Sequence, residues 1–505
     1  METMNELTIF QIQKHLESKT LTTRAIAEFF LDRIAAIDKS GPMINSIIEL
    51  NPDAIEIADQ LDTERRSGQI RGPLHGIPIV LKDNIDTHDQ MTTTAGSLAL
   101  EGSIAPRDAS LVERLRANGA LILAKANLSE WANFRSKHSS SGWSSRGGQT
   151  RNPYALDRNP CGSSSGSAAA VAADFCTAAI GTETDGSIVC PAHANGVVGL
   201  KPTLGLVSRA GVIPIAHSQD SAGPMARNVA DIAIILGCLT GIDPRDPATQ
   251  TSEGYFHNDY TQFLNPNGLK GARLGVARNY FGADPRVDQL IENAIKIMKE
   301  QGAEIIDPAS ITTDGRWGKS EMEVLLTEFK ADLNAYLATL SPGAPVHSLE
   351  ELIKFNDSHH EQVMPFFGQD RVLAAQQKGP LTGKRYLNAL ARCRQLTREK
   401  GIDAVLLKHN LDALIAPTGN PAWLTDWING DQSSGPDTSS ASAVAGYPHL
   451  TVPAGYVCGL PVGLSFISSA WQEPRLIRLA YSFEQASQTR QVPQFLPTLS
   501  PKQSS

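Results

Sequence analysis

The stretch CGSSSGSAAAVAA, residues 161–173, joins a long polar segment to an apolar one and decides how the surrounding chain is organised. Residues 133–167 are rich in Ser, Gly and Asn, which is typical of a loop. A loop of this length inside a compact domain is usually functional or disordered. The alanine-rich residues predict a helix, and TAAIGT, residues 177–182, predicts a strand directly after it.

Helical and strand patterns alternate on both sides of this stretch. IPIVLKD, residues 77–83, and ALILAK, residues 120–125, are short apolar runs that predict buried strands, with a helical pattern between them. VVGLKPT, residues 197–203, predicts another strand, and RNVADIAIILGCL, residues 227–239, a capped helix. This alternation predicts an α/β fold.

The chain shows no internal repeat and no clear linker, which favours one domain with an inserted helical layer. We expect an N-terminal helical segment over residues 1–70, packed on a core formed by residues 71–240. Residues 241–410 are expected to form the helix-rich insertion. Residues 411–495 return to strands and a closing helix that complete the same sheet, and residues 496–505 form a frayed tail.

Composition excludes several classes of function. The 505 residues carry a net charge of −8 and no basic cluster, so we expect no nucleic-acid partner. No apolar run is long enough to span a membrane, and the opening METMNELTIF is too polar for a signal peptide. Six scattered cysteines without C-x-x-C or zinc spacing predict reduced thiols in a cytoplasmic protein, with no metal and no cofactor.

One interpretation of the opening stretch is a nucleophile elbow. Gly162 to Gly166 fits G-x-S-x-G, which would make Ser164 the nucleophile. An elbow follows a strand, however, and TRNPYALDRNP, residues 150–160, has two prolines and no apolar alternation. The alternative is a turn whose hydroxyl groups cap the next helix, and the sequence favours it over the elbow.

A second serine lies in GTETDGSIVCPA, residues 181–192, where Ser187 follows a strand and a glycine-containing turn. Such a turn can point several N–H groups inward, as an oxyanion hole requires. Lys82 ends a buried strand, where burial lowers a lysine pKa and yields a neutral amine that can act as a base. Ser163 is then placed to relay a proton between Lys82 and Ser187.

The alternative for Lys82 is a lysine that extends from the strand end to water. Lys125 and Lys201 also end strand-like runs, so the same two interpretations apply to them.

Several long motifs, in order and spacing, resemble the amidase signature family. The resemblance is strong over residues 22–240 and returns near the C-terminus. The motifs that carry it are GPLHGIPIVLKDNI (72–85), CGSSSGSAAAVAA (161–173), GTETDGSIVCPA (181–192), GVVGLKPTLGLVS (196–208), DALIAPT (412–418), AVAGYPHLTVPAG (443–455) and LPVGLSFI (460–467).

This resemblance implies a single large α/β domain whose central mixed β-sheet is covered by helices on both faces. It also implies a Ser–cis-Ser–Lys triad, with Lys82 as base, Ser163 as relay after a cis peptide bond, and Ser187 as the nucleophile that forms an acyl-enzyme. The implied oxyanion turn and its hydrogen-bonding neighbour comprise Thr184, Asp185, Gly186 and Ser164.

Three positions depart from the family pattern. Cys161 and Ser165 each replace a glycine, and Val189 replaces a frequent arginine beside the nucleophile. The missing arginine leaves open how a substrate is anchored. Cys190, close to Ser187, is expected to be a packed thiol.

Within the family, NLSEWANFRS (127–136), SGWSSRGGQTRNPY (141–154) and SIVCPA (187–192) resemble the bacterial peptide amidase branch. The resemblance therefore implies hydrolysis of C-terminal amides of peptides or amino-acid amides, with a small-molecule or short-peptide amide as the binding partner. Trp131, Phe134 and Trp143 either form a wall of the substrate pocket or pack the long loop. Two alternative functions are an amidotransferase-type subunit that supplies ammonia to a partner and an inactive amide-binding relative. Oligomeric state is not predicted.

Overall fold

The computed structural model describes residues 4–433, 435 and 438–499. Strands occur where short apolar runs predict them, and further strands come from segments with weaker patterns. The strands are β1 (Ile47–Leu50), β2 (Pro78–Lys82), β3 (Leu121–Ala126), β4 (Trp143–Ser144), β5 (Gly148–Gln149), β6 (Ala178–Glu183), β7 (Val198–Lys201), β8 (Ser221–Ala226), β9 (Arg273–Val276), β10 (Glu304–Ile306), β11 (Ala413–Pro417), β12 (His449–Val457) and β13 (Leu460–Ile467).

Helices connect most of these strands, and the longest lie in the segment after residue 280. The α-helices are α1 (Ile9–Glu17), α2 (Thr23–Arg33), α3 (Ala54–Arg66), α4 (Ser110–Ala117), α5 (Ser165–Ala172), α6 (Val189–Ala194), α7 (Val229–Leu239), α8 (Pro285–Glu300), α9 (Gly318–Leu337), α10 (Leu349–Ser358), α11 (His360–Val363), α12 (Asp370–Gln376), α13 (Lys384–Arg394), α14 (Asp403–His409), α15 (Ser440–Ala445) and α16 (Glu473–Ser487).

Eleven of the described strands form one sheet, in the order β1-β3-β2-β6-β8-β7-β12-β13-β11-β9-β10. β2 lies between β3 and β6 and runs parallel to both. β8, β7, β12 and β13 add antiparallel pairs, so the sheet is mixed. Because the carboxyl ends of parallel strands meet at one edge, the end of β2 and the end of β6 lie together.

Helix α5 explains the alanine-rich part of the opening stretch. Every residue of α5 is buried, and small side chains allow a helix to pack closely on its neighbours. A Cβ atom added at Gly166 would lie 2.2 Å from the carbonyl oxygen of Ser46, so the first turn accepts only glycine there. The helix thereby holds the residues just before it against the sheet.

The predicted fold class is confirmed: one domain in which helices flank a central mixed sheet. The segment over residues 241–410 is mostly helical, and it also supplies β9 and β10 at one edge of the sheet. The N-terminal segment supplies β1 at the other edge. These short strands have no clear alternation in the sequence, which is why the patterns did not predict them. Residues 500–505 of the expected tail lie outside the described residues.

Among the helices of the described residues, none is both long enough and apolar enough to cross a bilayer.

Candidate active site

Lys82 ends β2 with its side chain fully buried beside β6. Its Nζ lies 2.7 Å from Ser163 Oγ, 2.8 Å from Thr182 Oγ1 and 3.2 Å from the Thr182 carbonyl oxygen. The parallel pairing of β2 and β6 produces this contact, because it brings the two strand ends to one edge. The expected alternative of a lysine extending to water is wrong for Lys82.

Burial lowers the pKa of Lys82 to about 7, although the negative charges of Asp220 and Glu183 act to raise it. Removing an ammonium ion from water disfavours its charged form, and no carboxylate is close enough to reverse that effect. A substantial fraction of Lys82 is therefore a neutral amine near neutral pH, and a neutral amine can accept a proton.

The loop before α5 presents Ser163 to this amine. The peptide bond between Gly162 and Ser163 is cis, as the family resemblance implies. Ser163 is fully buried. Space around Gly162 is also restricted, since an added Cβ would lie 2.3 Å from Ser129 Oγ. The loop backbone is thus fixed by its neighbours.

Ser164 holds the loop rather than facing the cavity. Its side chain is fully buried, and its Oγ donates to the carbonyl oxygen of Thr182 at 3.0 Å. Its backbone N–H donates to the carbonyl oxygen of Ser187 at 3.2 Å, which joins the Ser163 loop to the second serine. Residues 150–160 contain no strand, so the geometry of a nucleophile elbow is absent there.

Ser187 follows a tight turn after β6 and is 8% exposed. Gly186 has a φ of +78°, a backbone conformation that favours glycine. The buried carboxylate of Glu183 accepts N–H groups of Ile188 at 2.7 Å and Val189 at 3.0 Å, directly after the serine. The backbone on both sides of Ser187 is therefore fixed.

Two further carboxylates hold the same turn. The Thr184 hydroxyl donates to Asp220 Oδ1 at 2.6 Å, and Asp220 also accepts the N–H groups of Ile215 and Ala216. Burial raises the pKa of Asp220 to about 6. Asp185 accepts a hydrogen bond from Ser439 Oγ at 2.6 Å. A preformed turn of this kind can stabilise an oxyanion without reorganising during the reaction.

A cavity of about 450 Å³ opens beside this turn. It reaches Gly162 on one side and Asp185 and Gly186 on the other, so it borders both serine-bearing segments. Its remaining described lining comes from distant parts of the chain and includes Asn133, Ser141, His193, Arg371, Thr418, Asn420, Trp423, Asp431, Gln432 and Ser439. Sequence patterns did not single out these residues as a site, because no local motif connects them.

The three aromatic residues considered for the pocket wall do not line this cavity. Trp131 and Phe134 are 2% and 3% exposed and belong to an apolar cluster with α9, α10 and α12. Trp143 packs edge-on against Phe366 and Phe367. The pocket-wall expectation is therefore not met at this cavity, and the three rings pack against the helical layer instead. The helical layer covers these rings, and no local pattern in the sequence indicates that contact.

Two of the six cysteines are paired, which contradicts the prediction of reduced thiols. Cys161 and Cys190 form a disulfide, and both line the cavity. The expectation that Cys190 is a packed thiol is wrong for the same reason. The bond joins the loop that carries Ser163 to the helix that follows Ser187. Cys176, Cys238, Cys393 and Cys458 are free, and the first three are buried.

The other two strand-end lysines are buried but lie apart from Ser163. Lys125 Nζ donates to the Ile85 carbonyl oxygen and to Thr93 Oγ1. Lys201 Nζ donates to the Pro202 carbonyl oxygen, and burial lowers its pKa to about 8. Neither extends to water, and both bind backbone oxygens, which indicates a structural role.

One cluster of metal-binding residue types occurs among the described residues: His217, Glu328 and Asp332. Hydrogen bonds within the protein already engage each member. Asp332 accepts from the His217 backbone and ring, and Glu328 accepts from Ser218 N–H and the Tyr386 hydroxyl. These contacts account for the cluster without an ion.

Comparison with known proteins agrees with this geometry. The family model for amidases matches residues 25–477. A probable amidase of Arabidopsis thaliana is 42% identical over 98% of this chain and 92% of its own. The native peptide amidase of Stenotrophomonas maltophilia superposes with a TM-score of 0.92 and 50% identity, covering 97% of this chain and 99% of that one.

A more distant relative carries a different name. A glutamyl-tRNA(Gln) amidotransferase subunit of Halorhodospira halophila is 34% identical over 97% of this chain and 99% of its own. The match of the family model and the similarity to amidases extend over nearly the whole chain. The chain therefore belongs to the amidase family and is a hydrolase acting on amide C–N bonds.

Proposed function

We propose that this amidase releases ammonia from the C-terminal carboxamides of peptides or amino-acid amides through Ser187, Ser163 and Lys82. The observation that carries the proposal is the 2.7 Å contact between Lys82 Nζ and Ser163 Oγ, beside the turn that presents Ser187. An amine of pKa about 7 is a suitable base for this task near neutral pH. The intact set of three groups argues against an inactive amide-binding relative.

In the proposed reaction, neutral Lys82 takes the proton of Ser163, which takes the proton of Ser187. Ser187 Oγ attacks the carbonyl carbon, and the carbonyl oxygen becomes an oxyanion held by N–H groups of the turn Thr184–Ser187. When the C–N bond breaks, the proton returns through Ser163 to the departing nitrogen, which leaves as ammonia. Water then hydrolyses the acyl-enzyme by the same relay, which restores Ser187 and releases the acid.

The proposed substrate rests on the similarity to a peptide amidase and on the size of the cavity. About 450 Å³ is enough for the last residues of a short peptide. We propose that the part of the site that holds the leaving group accepts only a small amide nitrogen. The carbonyl group of an internal peptide bond then cannot reach the oxyanion turn. Because the chain carries a net charge of −8, we propose neither a nucleic acid nor a membrane as a partner.

The second candidate function is supply of ammonia to a partner, which the similarity to an amidotransferase subunit favours. It predicts that the chain releases ammonia from glutamine and that a partner protein increases the rate. Incubating the purified chain with glutamine, and separately with a peptide amide, distinguishes the two functions. If the first function is correct, the isolated chain should release ammonia rapidly from the peptide amide.

Ser187→Ala tests the nucleophile. Turnover should fall by several orders of magnitude, since the covalent step is lost. A fluorophosphonate probe followed by peptide mass spectrometry should place the adduct on Ser187 in the wild-type enzyme. An adduct on Ser164 would contradict the proposed nucleophile. Hydrolysis of a long-chain fatty amide, with none of a peptide amide, would contradict the proposed substrate and leave the nucleophile in place.

The proposed location is cytoplasmic, as the sequence predicts, but the Cys161–Cys190 disulfide favours an oxidising compartment. Cell fractionation with an antibody against the chain decides between them. Recovery in an extracytoplasmic fraction would overturn the cytoplasmic location.

A further inference from the structure

We propose that Arg371 makes this enzyme selective for amides that carry a carboxylate in their acyl part, on one of the last two residues before the carboxamide. This inference rests on the proposed function, because it specifies which peptide amides that site prefers. It names a specificity residue in the helical layer, far in sequence from the serine-bearing segments.

The position of Arg371 is the first observation. It is the second residue of α12, and its side chain lines the cavity that borders Gly162 and Gly186. One guanidinium nitrogen, Nη1, donates to the backbone carbonyl oxygen of Asn133 at 3.3 Å. The guanidinium carbon lies 5.3 Å from the centre of the Phe134 ring. These contacts hold the group in the wall and leave further N–H donors.

The second observation is that Arg371 forms no ion pair with a carboxylate anywhere in the described part of the chain, at a limit of 4.0 Å. Nearby basic residues differ in this respect. Lys378 and Arg385 both pair with Glu323, and Arg135 pairs with Glu130. The adjacent Asp370 accepts hydrogen bonds from Ser136 and Lys137. Burial lowers the pKa of Arg371, while the negative charges of Asp370 and Glu321 act to raise it without forming an ion pair.

The third observation is the charge of the other groups around the cavity. Among its described lining residues, Arg371 is the only lysine or arginine, and burial lowers the pKa of His193 to about 4. The two lining carboxylates have hydrogen-bond donors of their own: Ser439 for Asp185, and Ser141 with Trp423 for Asp431. Burial also raises the pKa of Asp431, while its hydrogen bonds act to lower it.

A guanidinium with unused donors in a partly enclosed cavity favours an anion of matching shape. A carboxylate accepts two parallel N–H groups from arginine, and charge-assisted hydrogen bonds of this type are stronger than neutral ones. The family position beside the nucleophile that often carries arginine is Val189 here, so it supplies no competing cation. The positive charge of the cavity therefore comes from Arg371 on α12, and not from the helix that follows Ser187.

The test compares matched peptide amides that differ only in a Glu, Gln or Lys residue, placed at the last or the next-to-last position. Wild-type kcat/KM should be higher for Glu than for Gln by roughly tenfold or more, and lowest for Lys. Arg371→Gln should remove the preference for Glu, so that the ratio of kcat/KM for the Glu peptide amide to that for the Gln peptide amide falls to about one. Arg371→Glu should reverse the order of Glu and Lys.

Arg385→Gln is the matched control. Arg385 lies in the same helical layer, but its side chain is 82% exposed, it pairs with Glu323, and it does not line the cavity. This variant should retain the wild-type preference. Circular dichroism of all variants separates loss of folding from loss of selectivity.

The outcomes separate this inference from the proposed function. Equal wild-type rates for Glu and Gln, a preference for Lys, or an equal loss on every peptide amide in Arg371→Gln would each overturn the inference, while hydrolysis of peptide amides would stand. Failure of the wild-type enzyme to hydrolyse any peptide amide would overturn the proposed function itself, and the inference with it.

Discussion

Lys82 occupies a place where an ammonium ion is costly and an amine is useful. Its three contacts are hydroxyl and carbonyl oxygens of Ser163 and Thr182, and no carboxylate is in direct contact with it. Desolvation therefore decides its protonation, and the pKa of about 7 follows from it. The same burial that favours the neutral amine of Lys82 also holds it against Ser163.

The pH dependence of kcat/KM should report this pKa. Activity is expected to rise with pH as the Lys82 ammonium loses its proton, with an inflection near pH 7, and to level off above it. Lys82→Arg should lose activity by several orders of magnitude, because a guanidinium remains charged. The check is a pH series of kcat/KM with a peptide amide. Substantial activity of Lys82→Arg, or a profile without an inflection between about 6 and 8, would contradict the role of Lys82.

At the residue scale, sequence patterns predicted the groups that lie on or beside strands. Lys82 ends an apolar run, and Ser187 follows a run and a glycine turn, so local rules reach both. Arg371, Asp431 and His193 lie in segments without such a pattern. Their place around the cavity depends on how distant elements pack, and no local rule encodes that.

At the scale of elements, two segments lie on either side of Ser187: the loop before α5 and the helix α6. Ser164 N–H joins the loop to the Ser187 carbonyl group, and Glu183 holds the start of α6. The Cys161–Cys190 disulfide adds a covalent link between the same two elements. Hydrogen bonds between the two elements can break during local opening. The disulfide keeps the two elements together when those hydrogen bonds break.

Loss of this link should lower stability. Cys161 and Cys190 are 29 residues apart, and closing a loop of that length contributes about 3–4 kcal/mol in the chain-entropy model. The double variant Cys161→Ser/Cys190→Ser should therefore unfold at a lower temperature than wild type. A thiol reductant should lower the melting temperature of the wild type and not that of the double variant, as measured by circular dichroism.

Cys458→Ser is the control for this prediction, since Cys458 is free and partly exposed. Its melting temperature should match that of the wild type. A titration that finds six thiols in unreduced, denatured enzyme, instead of four, would show that the disulfide is absent.

For the molecule as a whole, Arg135 connects the long polar loop to the helical layer. It is fully buried, pairs with Glu130 at 2.6 Å, and donates to the carbonyl oxygens of Val363 and Phe367. Its guanidinium also lies over the rings of Trp143 and Phe367. One side chain thus joins the long polar loop to the helical layer that carries Arg371.

Removing this connection should be costly. Arg135→Ala leaves the Glu130 carboxylate buried without its partner, and breaking a buried pair in this way costs about 3–5 kcal/mol. Denaturant unfolding should show the loss, and Arg135→Ala/Glu130→Gln should recover part of it. Arg385→Ala should change stability little, because the Arg385 side chain is exposed and Glu323 keeps its ion pair with Lys378. A stability of Arg135→Ala equal to that of the wild type would contradict the role of this residue.

The α/β class could be predicted at this scale because strand and helix patterns alternate over residues 77–239. The order of the strands could not be predicted from those patterns. β9, β10 and β1 are short edge strands, and pairing of β7 with β12 joins segments far apart in sequence. The buried position of Trp131 and Phe134 likewise depends on helices that follow much later in the chain.

The strand order also constrains how the chain matures during synthesis. β7 is made early, yet its neighbour β12 begins only at His449, so one edge of β7 stays without a partner until the C-terminal part of the polypeptide leaves the ribosome. Unpaired strand edges invite association with other chains. A nascent or truncated chain that stops before β12 should therefore depend on chaperones. Completion of translation then becomes the step that commits the enzyme to its native state, rather than formation of the serine-bearing core.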